Sequence, residues 1–242
     1  MICCWTLAEY PRGWKVARPQ QQAGVLQFHC AIESRWPVIL AICSVVLLLA
    51  LLPSRVRVFP AWVPWLTLIV VIVPMAAVAL NTAKGYLLRI ERILTVLFFV
   101  IAAVGIVATL KILLSAMVRH SFAVTGLQLL TSSIAVWATN VLVFSVAYWR
   151  IDRGGPEARA NNLNGKPDWL FPQENAGEDV PPDWRPTFVD YLFLAFCTAT
   201  AFSPTDVQPL TSRVKLLMML ESTISLVTTV AVAARAINIL GS

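Results

Sequence analysis

Oxygen-bearing side chains cluster at the end of one short apolar run. They stand in the sequence CTATAFSPTD and are Thr198, Thr200, Ser203, Thr205 and Asp206, with Pro204 between them. Hydroxyl and backbone oxygens can replace the water around a cation, and a ring of carboxylates in an oligomer attracts cations. These residue types therefore predict a cation pathway, with Asp206 as the leading candidate. The alternative is that Asp206 caps the loop by accepting hydrogen bonds from N–H groups near Thr211.

A second polar group lies on the last apolar segment. Glu221, Ser225, Thr228 and Arg235 follow one another at intervals of four, three and seven residues, which places them on one helix face. Ionisable residues inside a membrane helix mark functional sites by default, because exposure to lipid is costly. Two interpretations stay open: the face lines a water-filled vestibule, or Glu221 pairs with Lys111, a buried charge in the third apolar segment. For Arg235 we favour a side chain that reaches the nearer membrane interface.

The composition places both groups in a membrane protein. Of 242 residues, 58% are hydrophobic and 13% are charged, whereas a soluble domain has about 25% charged residues. The apolar run after Thr187 becomes polar at Ser203, so it is shorter than the roughly 20 residues that cross a bilayer. Polar, proline-containing backbone at membrane depth requires surrounding protein or a water-filled cavity. We therefore predict a re-entrant half-helix and tip over residues 187–206.

The predicted fold is an all-α membrane protein with five transmembrane helices and the re-entrant half-helix before the last of them. The predicted spans are Trp36–Leu52, Phe59–Leu80, Ile93–Val118, Leu127–Trp149 and Val214–Leu240. Residues 1–35 are expected to form an interfacial or disordered tail, since they lack the apolar core of a signal peptide.

Two regions follow the tail. Residues 36–126 form a three-helix transmembrane region, and residues 127–242 form a pore-loop-like module. The module consists of an outer helix at 127–149, a solvated polar loop at 150–186, the half-helix and tip at 187–206, and an inner helix at 214–240.

Several function classes find no support in the sequence. The formal charge of +6 comes from basic residues at helix ends and in loops, so we expect no nucleic-acid partner. The five cysteines and two histidines lack metal-ligand spacing, so no metal site is assigned. Nucleotide-binding and hydrolase signatures are absent, and the acids of the polar loop have no fixed spacing. We therefore assign no catalytic residue and no cofactor, and we do not expect an enzyme.

The segment CTATAFSPTDVQPLT resembles the pore helix and filter of potassium channels. Thr198, Ala199, Thr200, Asp206, Pro209 and Thr211 fall in places equivalent to those of the channel motif. Ser203, Pro204 and Thr205 stand where those channels place two glycines around a tyrosine. Proline fixes φ and removes an N–H, whereas glycine permits the positive φ of a ring of inward carbonyls. The resemblance implies a pore-loop fold without a potassium-selective filter.

A longer set of motifs resembles a family of uncharacterised bacterial integral membrane proteins. The motifs are YWRIDRGG at 148–155, PDWLFPQ at 167–173, DWRPTFVDYL at 183–192 and TAFSPTD at 200–206. This resemblance implies a channel-like fold in a bacterial cytoplasmic membrane and little about chemistry.

The leading functional hypothesis is an oligomeric ion-conducting pore, or a divergent relative of one. One re-entrant segment cannot enclose a pore, so symmetry must supply the others, and a tetramer is expected. The expected partners are the lipid bilayer, further copies of the chain and a monovalent cation. The alternatives are a non-conducting membrane scaffold, a partner-binding subunit and a small-solute carrier.

Two features of the sequence predict opposite orientations of the chain in the membrane. The channel analogy places the polar loop outside the cell. Positive charge near the ends of the spans favours the opposite, because Arg150, Arg153 and the 84–92 loop share one side with the N-terminal tail. We favour the N-terminus inside.

Overall fold

The computed structural model describes residues 34–54, 57–60, 62–80, 85–118, 126–160, 166–176, 180–181, 184–200 and 207–240. These residues are mostly helical. The helices are α1 Trp36–Leu51, α2 Val63–Leu80, α3 Gly85–Val118, α4 Gly126–Ile151, α5 Pro156–Ala160, α6 Phe188–Thr200 and α7 Ser212–Leu240. Two-residue strands β1 Trp169–Leu170 and β2 Gln208–Pro209 form an antiparallel pair, and 3-10 turns cover Asp152–Gly154 and Pro172–Asn175.

Among the residues that the structure describes, three helices are long and apolar enough to cross a membrane. They contain the stretches Leu88–Ser115, Leu130–Gly154 and Ser212–Ala234. The helices α1, α2 and α6 are apolar but shorter. The prediction of a mostly helical membrane protein is confirmed at this level, whereas the count of five spans and the re-entrant segment stay predictions. The predicted tail falls almost entirely on residues 1–33, which lie outside the described residues.

Helix α4 is the central helix of the described bundle. It packs against α1, α3, α6 and α7. Residues 143–150 near its C-terminal end are all buried. The name outer helix, given from the sequence, therefore does not fit its position, because four other helices cover it. The faces exposed on the surrounding helices carry large apolar side chains such as Ile69, Val104 and Leu226, as expected of helices surrounded by lipid.

A buried cluster of charges joins α1, α3, α4 and α5 at one end of the bundle. The guanidinium of Arg35 contacts Glu91 at 2.9 Å and Glu157 at 3.0 Å, and Arg150 contacts the same Glu157 at 3.2 Å. Arg35 and Glu91 are 3% and 1% exposed. The start of α1, the early part of α3 and the end of α4 therefore lie at the same end, which we call the charged end.

The described parts of the polar loop are folded at the charged end, and for them the expectation of a solvated loop is wrong. Asp152, Asp168, Trp169 and Phe171 are buried, with exposures of 2% or less. The acids of this loop have no fixed spacing in the sequence, and in the fold Asp152 accepts hydrogen bonds from a backbone N–H and from an aromatic hydroxyl. Burial of these side chains makes the loop a structural layer between α4 and α7.

The turn after α4 depends on positive φ angles, which residues with a side chain rarely adopt. Gly154 and Gly155 have φ of +83° and +106°, and Arg153 has φ of 54°. A Cβ on Gly155 would lie 3.2 Å from the carbonyl oxygen of Arg150. This turn reverses the chain and allows α5 to bring Glu157 to the charged cluster.

We predict that Gly155→Ala destabilises the protein by about 1–3 kcal/mol, because alanine is strained at this φ. Reversible unfolding in mixed micelles measures the change. The control is Gly154→Asn, since asparagine tolerates positive φ and Gly154 is exposed, with Ala158 Cβ as its close neighbour at 3.5 Å. Equal losses in the two variants would contradict the strain argument.

Candidate functional site

Helix α6 begins with a capping box. The carboxylate of Asp190 accepts a hydrogen bond from the backbone N–H of Thr187 at 2.7 Å and from its hydroxyl at 2.8 Å. This arrangement satisfies a backbone donor at the N-terminus of the helix and places a negative charge near the positive end of its dipole. The start of α6 is therefore fixed locally by the sequence TFVD.

The other end of α6 meets the middle of α7. Backbone carbonyls in the last turn of a helix have no partner inside the helix. Here the hydroxyl of Ser225 donates to the carbonyl of Ala199 at 2.6 Å, and Ser222 donates to that of Thr198 at 3.3 Å. Two serines on α7 thus cap the C-terminal end of α6.

The predicted filter residues divide into two groups. The hydroxyl of Thr198 donates to the carbonyl of Leu194 at 2.8 Å, and that of Thr200 donates to Phe196 at 2.9 Å. Both hydroxyl hydrogens are thus engaged in hydrogen bonds within α6, while the lone pairs of the hydroxyl oxygens can still accept a hydrogen bond or coordinate a cation. Ser203, Pro204, Thr205 and Asp206 lie outside the described residues.

Asp152 connects the end of α4 to α6 and to the polar loop. It is fully buried, and it accepts hydrogen bonds from the hydroxyl of Tyr191 at 2.6 Å and from the backbone N–H of Asp168 at 2.9 Å. Arg153 lies 3.5 Å away as an ion-pair partner. A buried carboxylate with these donors holds three elements in a fixed relation.

Asp168 continues this connection to the start of α7. Its carboxylate accepts hydrogen bonds from the Thr211 hydroxyl at 2.7 Å and from Arg213 Nε at 2.8 Å, and Arg213 Nη2 contacts its second oxygen. Its backbone carbonyl accepts from the N–H of Leu210 at 2.8 Å. We call Asp152 and Asp168 the aspartate pair.

Aromatic rings fill the space around the aspartate pair. Trp169 is fully buried, with its ring centroid 5.0 Å from that of Tyr148 and 6.3 Å from that of Tyr191. Arg159 donates to the carbonyls of Trp149 and Asp152 at 2.7 and 3.0 Å, which caps the C-terminal end of α4. The layer excludes water from the carboxylates and so strengthens their hydrogen bonds.

A further ion pair lies at the edge of this layer, where Arg153 contacts Glu174. Burial raises the pKa of Glu174, and the charge of Arg153 opposes that rise. Within the described ranges, no three His, Cys, Asp or Glu side chains are grouped as metal ligands.

The predicted polar face of α7 exists, but it packs inside the chain. Glu221, Ser225 and Thr228 are each 0% exposed. The hydroxyl of Tyr148 donates to Glu221 Oε2, and the Asn140 amide donates to the backbone carbonyl of Glu221 at 3.2 Å. The expectation that this face lines an open vestibule is therefore not met within the single chain, because α4 and α6 cover it.

The prediction of Lys111 as a buried charge is wrong. Lys111 is exposed on α3, and the described partner of the Glu221 side chain is Tyr148. A lysine has a long stem that reaches a polar surface, so one in an apolar helix need not face the interior. Arg235 lies on α7, but its side chain is outside the described residues.

No family model matches the chain, and no curated protein or solved structure is significantly similar to it. The resemblance to potassium channels and to the bacterial membrane-protein family therefore stays a prediction.

Sequence reasoning missed the residues that hold the module together. They are Asp152, Asp168, Tyr191 and Arg213, with the charged cluster of Arg35, Glu91, Arg150 and Glu157. The signal that was present is the placement of single acids beside large apolar residues, Ile151 in the motif RIDRGG and Trp169 in the motif PDWLFP. A charged residue next to large apolar ones, in a loop, indicates a buried and paired side chain.

We predict that Ser225→Ala destabilises the protein by about 1–3 kcal/mol, because it removes the donor that the structure describes for the buried carbonyl of Ala199. The matched control is Thr223→Ala, since Thr223 is exposed on the same helix and donates to its own Met219 carbonyl. Unfolding in mixed micelles compares the variants. A Thr223 variant as unstable as the Ser225 variant would contradict the capping role.

We predict that Asp168 and Arg213 are energetically coupled by about 1.5–3 kcal/mol, the range for hydrogen bonds to charged groups. The double-mutant cycle uses Asp168→Asn and Arg213→Ala, and the double variant loses less stability than the two single losses summed. Lys215→Ala, on an exposed neighbour in α7, is the control and shows no coupling with Asp168→Asn. Strict additivity of the first pair would show that the contact does not stabilise the fold.

Proposed function

We propose that the chain is a subunit of an oligomeric membrane pore of the pore-loop type, which passes a monovalent cation without potassium selectivity. The observation that carries the proposal is the path of the chain around α6. Helix α6 has 13 residues and a length of about 20 Å, short of the roughly 30 Å hydrocarbon layer. It starts beside the aspartate pair and ends against Ser225, in the middle of α7.

The strand β2 supports a return to the side of entry. Six residues separate the end of α6 from Val207, and β2 then pairs with β1 beside the aspartate pair. These two end points support a re-entrant segment that enters to about half the depth of α7 and returns. In this proposal α1, α2, α3, α4 and α7 are the five spans, and the charged end collects the starts of α1, α3 and α7 with the end of α4.

The proposal assigns the permeation chemistry to the tip. Backbone and hydroxyl oxygens from Thr200, Ser203 and Thr205 coordinate the cation, and Asp206 supplies negative charge. The C-terminal end of α6 adds the negative end of a helix dipole to the same place. Neutralising Asp206 should therefore lower cation flux more than it changes stability.

A second candidate function is a non-conducting membrane scaffold. The observation that favours it is the burial of Glu221, Ser225 and Thr228, since a polar inner helix would otherwise supply the water-lined wall of a vestibule. The exposed side of α7 is largely apolar, with Leu216, Met219, Leu226 and Val230. Such a face packs equally well against lipid or against another copy of the chain.

We propose that the protein resides in the cytoplasmic membrane of a bacterium with the charged end inside the cell. Arg35, Arg92 and Arg150 lie at that end, and the positive-inside rule counts arginine whether or not a carboxylate pairs with it. Reporter fusions after residue 165 and at the C-terminus test this, with an external 165 fusion as the contrary result.

The test of function is native mass followed by flux. We predict a tetramer in nanodiscs, and in liposomes a cation flux that Asp206→Asn reduces at least tenfold. The control is Arg89→Gln, which removes an exposed charge on α3 and leaves the flux unchanged. A monomer or dimer, or a tetramer without flux of any monovalent cation, would reject the pore and favour the scaffold.

A further inference from the structure

Glu221 is a fully buried carboxyl group whose two oxygens have unequal surroundings. Its Oε2 accepts a hydrogen bond from the hydroxyl of Tyr148. Its Oε1 has no hydrogen-bond partner among the described residues, and neither has the side-chain carbonyl oxygen of Asn140. Asn140 lies against the same turn of α7, since its amide donates to the Glu221 backbone carbonyl at 3.2 Å. Two acceptors without a donor thus belong to one helix contact.

No described basic side chain balances a charge on Glu221. The helices packed against α7 are α3, α4 and α6, and their buried titratable side chains are Glu91, Tyr148, Arg150, Tyr191 and Cys197. Three of these are engaged elsewhere, because Glu91 contacts Arg35, Arg150 contacts Glu157 and Tyr191 contacts Asp152. Cys197 carries no positive charge, and Lys111 is exposed. An ionised Glu221 would therefore be an isolated charge between packed helices, which is costly.

We propose that Glu221 is a proton-binding site, at which Oε1 carries a proton and keeps the carboxyl neutral at pH 7. A single proton on Oε1 cancels the charge of the carboxylate. It also turns an oxygen that has no described donor into a donor itself. The Oε1–H group donates to the side-chain carbonyl oxygen of Asn140, which lies at the same contact and has no described donor. A metal cation would need several more oxygen ligands than these two.

The position of the site connects the proton to the half-helix. Glu221 faces α4, while its neighbours Ser222 and Ser225 hold the last carbonyls of α6. Loss of the proton places a charge in the contact between α4 and α7 and weakens it, so α7 moves away from α4 and releases its caps on α6. The proton site itself does not depend on the proposed pore, whereas an effect on conduction rests on that proposed function.

The first measurement is infrared spectroscopy on the full chain in nanodiscs, as a difference between wild type and Glu221→Gln. A neutral Glu221 gives the carbonyl stretch of a protonated carboxylic acid at pH 7, missing in the variant and lost from wild type at alkaline pH. Absence of such a band at pH 7 in the wild type would overturn the proposal.

The second measurement is stability, with a matched substitution as its control. Glu221→Gln keeps the shape and the neutral state, so below the pH at which a free glutamate ionises its unfolding constant stays within about threefold of wild type. At pH 7 its unfolding constant is lower than that of wild type, because only the unfolded wild-type chain releases a proton there. Glu157→Gln removes the charge of a carboxylate that pairs with Arg35 and Arg150, so its unfolding constant rises at least tenfold. If Glu221→Gln is as unstable as Glu157→Gln, or does not fold while Glu157→Gln does, Glu221 is ionised and the proposal fails.

The pH dependence supplies a third readout with a defined sign. The folded state holds a proton that the unfolded chain releases, so stability falls as pH rises above the range in which a free glutamate ionises. The unfolding constant rises by up to tenfold per pH unit in wild type, and Glu221→Gln removes that part of the slope. An unchanged slope in the variant would contradict the site. Cation flux at alkaline pH is measured separately. If no flux is found, the proposed pore is rejected, whereas the infrared, stability and pH measurements still test the proton site.

Discussion

The rest of the module depends on the hydrogen bond from the backbone N–H of Asp168 to the carboxylate of Asp152. This bond joins the turn after α4 to the polar loop. Asp152 follows the end of α4 and accepts hydrogen bonds from the Asp168 backbone and from the Tyr191 hydroxyl of α6. Asp168 accepts hydrogen bonds from Thr211 and Arg213 at the start of α7. Both carboxylates are fully buried, so each requires donors to offset its lost hydration. Their donors come from different helices, and this requirement fixes how those helices meet.

The same constraint acts at the deep end of α6. A helix that stops among apolar side chains leaves carbonyls without partners, and in lipid no water is present to satisfy them. Ser222 and Ser225 supply the missing hydrogen bonds, and they stand on the same helix whose start Arg213 ties to Asp168. One helix, α7, therefore holds α6 at its C-terminal end, while the aspartate pair and the capping box of Thr187 and Asp190 hold its beginning.

The sequence predicted the apolar helices, since apolar segments bounded by Pro, Gly and charged residues define them well, whereas the short α5 lies inside the segment predicted as a loop. It also predicted the face of Glu221, Ser225 and Thr228, because helical spacing is a local property. What that face contacts is decided by packing between segments far apart in the chain, and there the prediction of an open vestibule and of a lysine partner was wrong. The polar loop was misjudged for a related reason. Its acids are satisfied by Tyr191, Thr211 and Arg213, distant partners that no local spacing reveals.

The polar loop is a folded layer that holds the beginning of α6 directly and its C-terminal end through α7. The direct test is a disulfide across the strand pair, using Leu170→Cys with Gln208→Cys, because these two residues are partners in the antiparallel register. The variant is made with the native cysteines replaced, and the yield of intramolecular disulfide is measured in the membrane. The account predicts near-complete formation for this pair and little for Leu170→Cys with Lys215→Cys. Absence of the 170–208 disulfide, or equal yields for both pairs, would contradict it.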